Sequence, residues 1–305
     1  MAFQIPQDAW KPPAPQKEAA IQVISSKAEM QAHSLAARAR GETIVFVPTM
    51  GFLHKGHESL MHLGLRHGNH LVVSIFVNPA QFGPNEDLEK YPRDLPRDLA
   101  LCERAGAAVV YTPQPPEVYG PGFATWVNVD GLPDHLCGLS RPGHFRGVAT
   151  VVAKLFNTVL PHAAVFGEKD FQQLAVLRRM TLDLDFPIRI IPGPTVREED
   201  GLAMSSRNKY LSEAERKVAP VLFRSLARAK EQVAQGEKDA GKIIREAEKE
   251  ILAKPGTRID YVKICDPGTL DDLAAIAGPA VMALAVFVGT TRLIDNMMIS
   301  PPPGP

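Results

Sequence analysis

Cysteine is scarce in this 305-residue chain, with only Cys102, Cys137 and Cys265. They lie far apart, cannot all pair and form no CxxC, which excludes a disulfide framework and a cysteine zinc site. Free thiols in a reducing compartment remain. Net charge is missing as well, because 34 Lys and Arg face 34 Asp and Glu. A nucleic-acid-binding domain usually carries a basic excess, so no nucleic acid partner is expected, although local charge can still serve an anionic substrate. No apolar run is long enough to span a bilayer: the longest, residues 274–288, is too short and contains Pro279. The start, MAFQIPQDAWKPPAPQKEAA, lacks a basic stretch followed by an apolar block and is not a signal peptide. Its prolines suggest a poorly ordered leader over residues 1–20, and the tail PPPGP is expected to fray. Together these features place the chain in the cytoplasm, with no membrane partner. Internal repeats and the nucleotide fingerprints GxGxxG and GxxxxGK(S/T) are absent too.

What is present is an ordinary globular composition, 45% hydrophobic and 22% charged, and enough chain for one large domain or two ordinary ones. Apolar strand-like runs recur at 43–47, 71–77, 107–111, 163–166 and 188–191. Helical segments at 57–67, 93–105, 147–159 and 169–182 lie between them. Fully apolar strands alternating with helices predict a parallel sheet covered on both faces, and ligands of such sheets gather at the carboxyl ends of the strands. Near Pro192-Gly193-Pro194 the texture changes to a polar loop, two charged helices (213–235 and 240–253) and strands at 258–265, 280–288 and 291–298. The expected fold class is therefore α/β, with a parallel-sheet domain over 21–194 and a smaller α+β domain over 195–305.

Five clusters carry candidate chemistry. In PTMGFLHKGHESL, residues 48–60, His54 and His57 follow a buried strand. Zinc would need three or four ligands, and no third is suggested nearby. Lys55 and Gly56 mark a loop, which argues against a packed-core role. Anion binding fits better: Gly56 lets backbone approach closely, His57-Glu58-Ser59 starts a helix, and imidazoles add donors. Met204-Ser205-Ser206-Arg207-Asn208 suits a phosphate clamp, or is a solvated linker. Gly167-Glu168-Lys169-Asp170-Phe171-Gln172-Gln173 puts Lys169 at another strand end, or is an exposed helix cap. Asn78 and Gln81, around Pro79, offer amides to a substrate bearing hydroxyls and a carboxylate, or are turn residues. Arg141, His144 and Arg146 precede a helix as an anion contact or as surface charge.

Taken in order, PTMGxLHxGH, SIFVNPxQF, RPGHFRGV, FGEKDxQQL and VREEDGLAxSSRN resemble the pantothenate synthetase (pantoate–β-alanine ligase) family, from about Thr43 to Leu211. HxGH with a Ser-Ser-Arg loop alone resembles the wider nucleotidyltransferase and class I aminoacyl-tRNA synthetase superfamily; the intermediate motifs carry the narrower assignment. The resemblance implies a Rossmann-like N-terminal domain, a mobile C-terminal domain and a homodimer; the Pro-Gly-Pro stretch suggests that this domain is a lid hinged near Pro192 to Val196. It implies an enzyme joining pantoate to β-alanine with ATP and Mg2+, through pantoyl adenylate, releasing pyrophosphate and then AMP. On the same resemblance His54 and His57 contact the ATP phosphates, and Met50, Val196 and Met204 line the nucleotide site. Gly167 and Asp170 seat the adenosine, Lys169 neutralises phosphate charge, and Ser205, Ser206 and Arg207 close over the phosphates. Gln81 and Gln173 hold pantoate, Asn78 sits near the reacting phosphate, and Arg141 lies at the site's edge.

The family's pair of acidic residues after the YPR motif is Arg97-Asp98 here, so Asp98 is the protein candidate for Mg2+, which otherwise rests on phosphates and water. The first step needs alignment and charge cancellation rather than a base, because a carboxylate is already ionised at neutral pH. In the second step the amine must lose a proton, to His54 or to water. A rival nucleotidyltransferase would share HxGH without needing Gln81 and Gln173. A catalytically inactive nucleotide- or RNA-binding relative is disfavoured by the neutral charge and by the complete set of His54, His57, Lys169 and Ser-Ser-Arg.

Overall fold

A computed structural model describes residues 21–84 and 86–302. The expected leader over 1–20 and the last residues of the tail, 303–305, lie outside them. The chain runs β1 (Gln22–Ile24), α1 (Lys27–Ala39), β2 (Ile44–Thr49), α2 (Lys55–Leu65), β3 (His70–Ile75), α3 (Leu95–Arg104), β4 (Val109–Tyr111) and the single-turn α4 (Pro115–Val118). It continues with α5 (Leu136–Ser140), α6 (His144–Val159), β5 (Ala163–Gly167), α7 (Phe171–Asp183) and β6 (Arg189–Gly193). Then come α8 (Glu213–Val218), α9 (Val221–Ala234), α10 (Ala240–Leu252), β7 (Thr257–Cys265), β8 (Ala280–Val288) and β9 (Thr291–Ile299).

The first six strands form one parallel sheet in the order β1-β4-β3-β2-β5-β6. Strand β2 shows why its sequence is apolar throughout. Ile44 and Phe46 join the core under α1 and α6, while Val45 and Val47 join the core under α2 and α3. All four are fully buried, and burying each such side chain contributes about 1.5–3 kcal/mol. Strands β3 and β4 lie to one side of β2, whereas β5 and β6 lie to the other. The connections thus reverse direction between β2 and β5, and a crevice opens there at the carboxyl ends, where ligands of open parallel sheets bind. The loop carrying His54 leaves β2, and the loop carrying Lys169 leaves β5. The expected site therefore falls at the switch point.

The remaining strands form an antiparallel sheet, β7-β8-β9. Its central strand is apolar on both faces for a visible reason. Met282, Leu284 and Val286 pack with α9 and α10, whereas Val281 and Ala283 share a core with Leu136 of α5. Three details differ from the sequence reading. The helix expected over 213–235 breaks into α8 and α9 at Pro220, which has no N–H to continue the ladder. Strand β1 is too short to show a pattern. Helix α1 is missing from the sequence reading, although Ser26-x-x-Glu29 is a capping signature and the Ser26 hydroxyl accepts from Glu29 N–H at 3.4 Å.

Candidate active site at the sheet switch point

Helix α2 begins with a reciprocal cap made by its two histidines. His54 Nδ1 accepts the Gly56 N–H at 3.1 Å, and His57 Nδ1 accepts the His54 N–H at 3.3 Å. A ring nitrogen that accepts carries no proton, so each neutral imidazole keeps its proton on Nε2 as a free donor. The glycine of HxGH has a steric reason: a Cβ at Gly56 would lie 2.9 Å from His54 Cε1 and Nδ1. Burial first, and then the positive charge of Lys169, pushes the His54 pKa down to about 4. Burial holds His57 well below its ordinary value, with His54 and Lys169 acting in the same direction. Both rings are therefore neutral donors near pH 7, not cations. His54 is also a poor acceptor for the amine proton, because its Nδ1 is occupied and its pKa is low.

These rings border a cavity of about 230 Å³ at the strand ends. The structure brings almost every expected site residue to its wall. Met50 comes from the β2 loop, Asn78 and Gln81 follow β3, and Gly167, Lys169, Asp170 and Gln173 follow β5. Val196, Met204, Ser205, Ser206 and Arg207 arrive from the segment beyond β6, and Arg141 from the α5–α6 loop. The cavity opens beside a larger cleft of about 1170 Å³ between the two sheets, which shares Lys169, Gln173 and Arg207 with it.

Hydrogen bonding then sorts these residues by freedom. Gln81 donates from Nε2 to the Met50 sulfur at 3.1 Å, a weak acceptor that a substrate oxygen could displace. Gln173 has no side-chain partner among the described residues and points to the same space. Its neighbour Gln172 is fully engaged: Oε1 accepts Cys137 N–H at 2.9 Å, and Nε2 donates to the carbonyls of Leu132 and His135 at 2.9 and 2.7 Å. Asn78, expected near the reacting phosphate, lines the same cavity with its amide already paired. It is 1% exposed, its Nδ2 donates to Gln81 Oε1 and to the Gly147 carbonyl, and its Oδ1 accepts the Tyr119 hydroxyl at 2.8 Å. A buried amide paired in this way holds Gln81 in position.

The arginines are likewise paired. Arg141 forms a two-point ion pair with Glu86, with both N–O distances 2.6 Å, and Arg207 forms one with Asp87 at 3.0 and 3.1 Å. Lys169 has only Asp170 nearby, at 3.9 Å, and so is the least committed cation of the three. Of two positioning residues, Tyr119 has no sequence signal of its own, and the sequence suggests for His144 only an anion contact or surface charge. Tyr119 lies 41 positions from the Asn78 it holds, and His144 donates from Nδ1 to the Gln81 carbonyl at 2.8 Å while facing Arg141 through Nε2.

Asp98 needs correction as a metal candidate. It is 1% exposed, its Oδ2 accepts Phe52 N–H at 2.6 Å and its Oδ1 accepts Leu53 N–H at 2.7 Å. Both oxygens thus hold the histidine loop, and the buried carboxylate does not line the cavity. No group of three or more His, Cys, Asp or Glu among the described residues is arranged to hold a metal ion. The described side chains do not build a Mg2+ cage.

A model of the pantoate-beta-alanine ligase family matches residues 22–298. The chain belongs to this family. It is similar to the pantothenate synthetase of Desulfatibacillum aliphaticivorans, with 60% identity over 92% of this chain and 100% of that protein. The crystal structure of pantothenate synthetase from Thermus thermophilus superposes with a TM-score of 0.87 at 47% identity, covering 92% of this chain and 100% of that one. The pantoate-beta-alanine ligase of Francisella tularensis, solved in complex with beta-gamma ATP and beta-alanine, superposes with a TM-score of 0.76 at 30% identity over 92% and 98% of the two chains. The Rossmann-like sheet with a small antiparallel domain is thus the fold of the pantoate-beta-alanine ligases. The chain is an enzyme of that class, a ligase of pantothenate biosynthesis.

Proposed function

We propose that this ligase activates pantoate with ATP as an enzyme-held pantoyl adenylate and then transfers the pantoyl group to β-alanine. One observation carries the reading: a single cavity at the switch point joins phosphate-type donors to two amides. Neutral Nε2–H donors of His54 and His57, the Lys169 ammonium and the Ser205 hydroxyl share a wall with Gln81, Gln173 and Ser206, whose own hydroxyl donates to the Phe52 carbonyl. In the first step the pantoate carboxylate attacks the α-phosphorus, and the bond to pyrophosphate breaks. An anion attacks a polyanion, so these fixed donors and the Lys169 cation supply the main acceleration, typically about 3–4 kcal/mol per donor in comparable sites. Gln81 and Gln173 hold the acid, with Met50, Gly167, Asp170, Val196 and Met204 around the nucleotide.

In the second step the β-alanine nitrogen attacks the acyl carbon, the amide bond forms and AMP leaves. The low pKa of His54 supports water as the acceptor of the amine proton. Mg2+ would travel on the ATP phosphates and water, as this ion commonly does. Arg207 holds Asp87 through Nε and Nη2, and we assign it to the phosphates of the closed state, and Arg141 to the edge. We retain the division into 21–194 and a lid over 195–305. It is supported by the end of β6 at Gly193 and by a separate apolar core running from Leu202 to Ile299. A homodimer, implied by the family resemblance, and a cytoplasmic location, expected from the sequence features, stay proposals; among the described residues no helix is long and apolar enough to cross a membrane. The experiment is AMP release by purified protein with ATP and Mg2+, adding pantoate and β-alanine singly and together. AMP in quantity only with both supports the proposal. Indifference to both acids in a well-folded sample overturns it.

A further inference from the structure

We infer that Phe52, Arg97 and Lys209 form a latch that holds the Ser-Ser-Arg segment against the histidine loop, so that three residues outside the cavity set how well its phosphate end is formed. Phe52 lies two residues before His54 and adopts φ +49°, a left-handed conformation that costs energy for a bulky side chain. Something must hold it there. Below, its N–H is taken by Asp98 at 2.6 Å. Above, its carbonyl accepts the Ser206 hydroxyl at 3.1 Å. Beside it, Arg97 Nη2 donates to the Leu53 carbonyl at 3.0 Å. The aromatic ring completes the junction, with Arg97 Cζ 5.0 Å and Lys209 Nζ 4.4 Å from its centroid.

The placement gives the contact a function. Lys209 shares the 3-10 turn Ser206–Tyr210 with Ser206 and Arg207, which reach into the site, whereas Arg97 shares α3 with Asp98, which carries the histidine loop. The ring therefore joins the element that orients the histidines to the element that brings the hydroxyls. None of the three residues lines the cavity. They are positioning residues. The geometry also gives Arg97 a use at a position where the family resemblance places an acid. A guanidinium can sit over an aromatic face, and a carboxylate would be repelled by it.

The test compares F52L, F52Y, K209M and the double variant F52L/K209M for melting temperature, ATP binding alone by calorimetry, and KM for ATP and for pantoate. Lys209 is exposed, so K209M should fold normally. F52L and K209M should each weaken ATP by about threefold to tenfold, from the usual strength of a cation–π contact, with the KM for pantoate unchanged. F52Y should bind ATP like the parent, and the double variant should be no worse than the poorer of the two single variants. F52L alters no charge, so its loss cannot come from weaker long-range attraction of ATP. Additive losses, or melting temperatures that fall while ATP binding holds, overturn the latch. The inference rests on the ligase reading for its ligand: a parent that binds no ATP defeats that reading, whereas a parent that binds ATP equally with K209M and F52L defeats the latch alone.

Discussion

Replacing Asp98 by Asn separates two accounts of the same residue. The side chain keeps its shape but loses its charge, and one acceptor oxygen becomes an NH2 group. In the structure both oxygens accept backbone N–H groups, from Phe52 at 2.6 Å and Leu53 at 2.7 Å, at a site 1% exposed. D98N therefore retains one bond in neutral form and sets a donor against the other buried N–H. Hydrogen bonds to charged groups contribute about 1.5–3 kcal/mol, and an orphaned buried donor costs about 1–3 kcal/mol. Their overlap gives an expected destabilisation of about 1.5–3 kcal/mol. Denaturant unfolding measures it, and a Mg2+ titration of activity at fixed ATP runs alongside. The expected result is lower stability and reduced turnover, because the histidine loop sits on this carboxylate, with an unchanged Mg2+ midpoint. A variant as stable as the parent, needing much more Mg2+, would refute the reasoning and restore Asp98 as a metal ligand.

Three further outcomes follow from the same structure. Burial depresses His54 and His144 from 6.5 to about 4, so the unfolded chain takes up protons in that interval that the folded chain refuses. Their contribution is complete above about pH 6.5 and is lost as pH falls toward 4, so melting temperature should drop through that window; a flat profile contradicts it. A Cβ at Gly147 would lie 2.2 Å from the Ala80 carbonyl oxygen, so G147A should shift the turn bearing Gln81 and raise the KM for pantoate more than that for ATP, with equal rises counting against it. Adjacent glutamines should behave oppositely: Q172A should lose stability by about 1–3 kcal/mol through orphaned partners, while Q173A should keep its stability and lose pantoate affinity.

That last contrast shows where sequence reasoning stopped. Gln172 and Gln173 are neighbours in one motif, and neither residue type nor spacing separates them; only the family resemblance singles out Gln173. Helix α7 turns about 100° between them, sending one amide under α5 and the other into the cavity. Arg207 gives a second case. A guanidinium after two serines suggests a phosphate clamp, but its partner Asp87 stands 120 positions away, and only the fold shows the pair. Asp98 gives a third, because an acid near a phosphate site suggests a metal until its burial and its two N–H donors are seen.

The sequence by itself determined most of the elements and their order, with β1, α1 and the break at Pro220 among the exceptions. Apolar runs alternating with helical segments require a covered parallel sheet, parallel connections put every βα loop at one end, and so the motifs after β2, β3 and β5 had to converge. HxGH also carried its own local cap, built within four residues, so the histidine tautomers were settled close to home. Only the tertiary structure decided which converging groups are free to meet a ligand. The hydrogen bonds that Tyr119 donates to Asn78, His144 to Gln81, Arg207 to Asp87 and Ser206 to Phe52 span 41, 63, 120 and 154 positions. Periodicity and spacing report on neighbours along the chain. A polar side chain is spent or spared by neighbours in space.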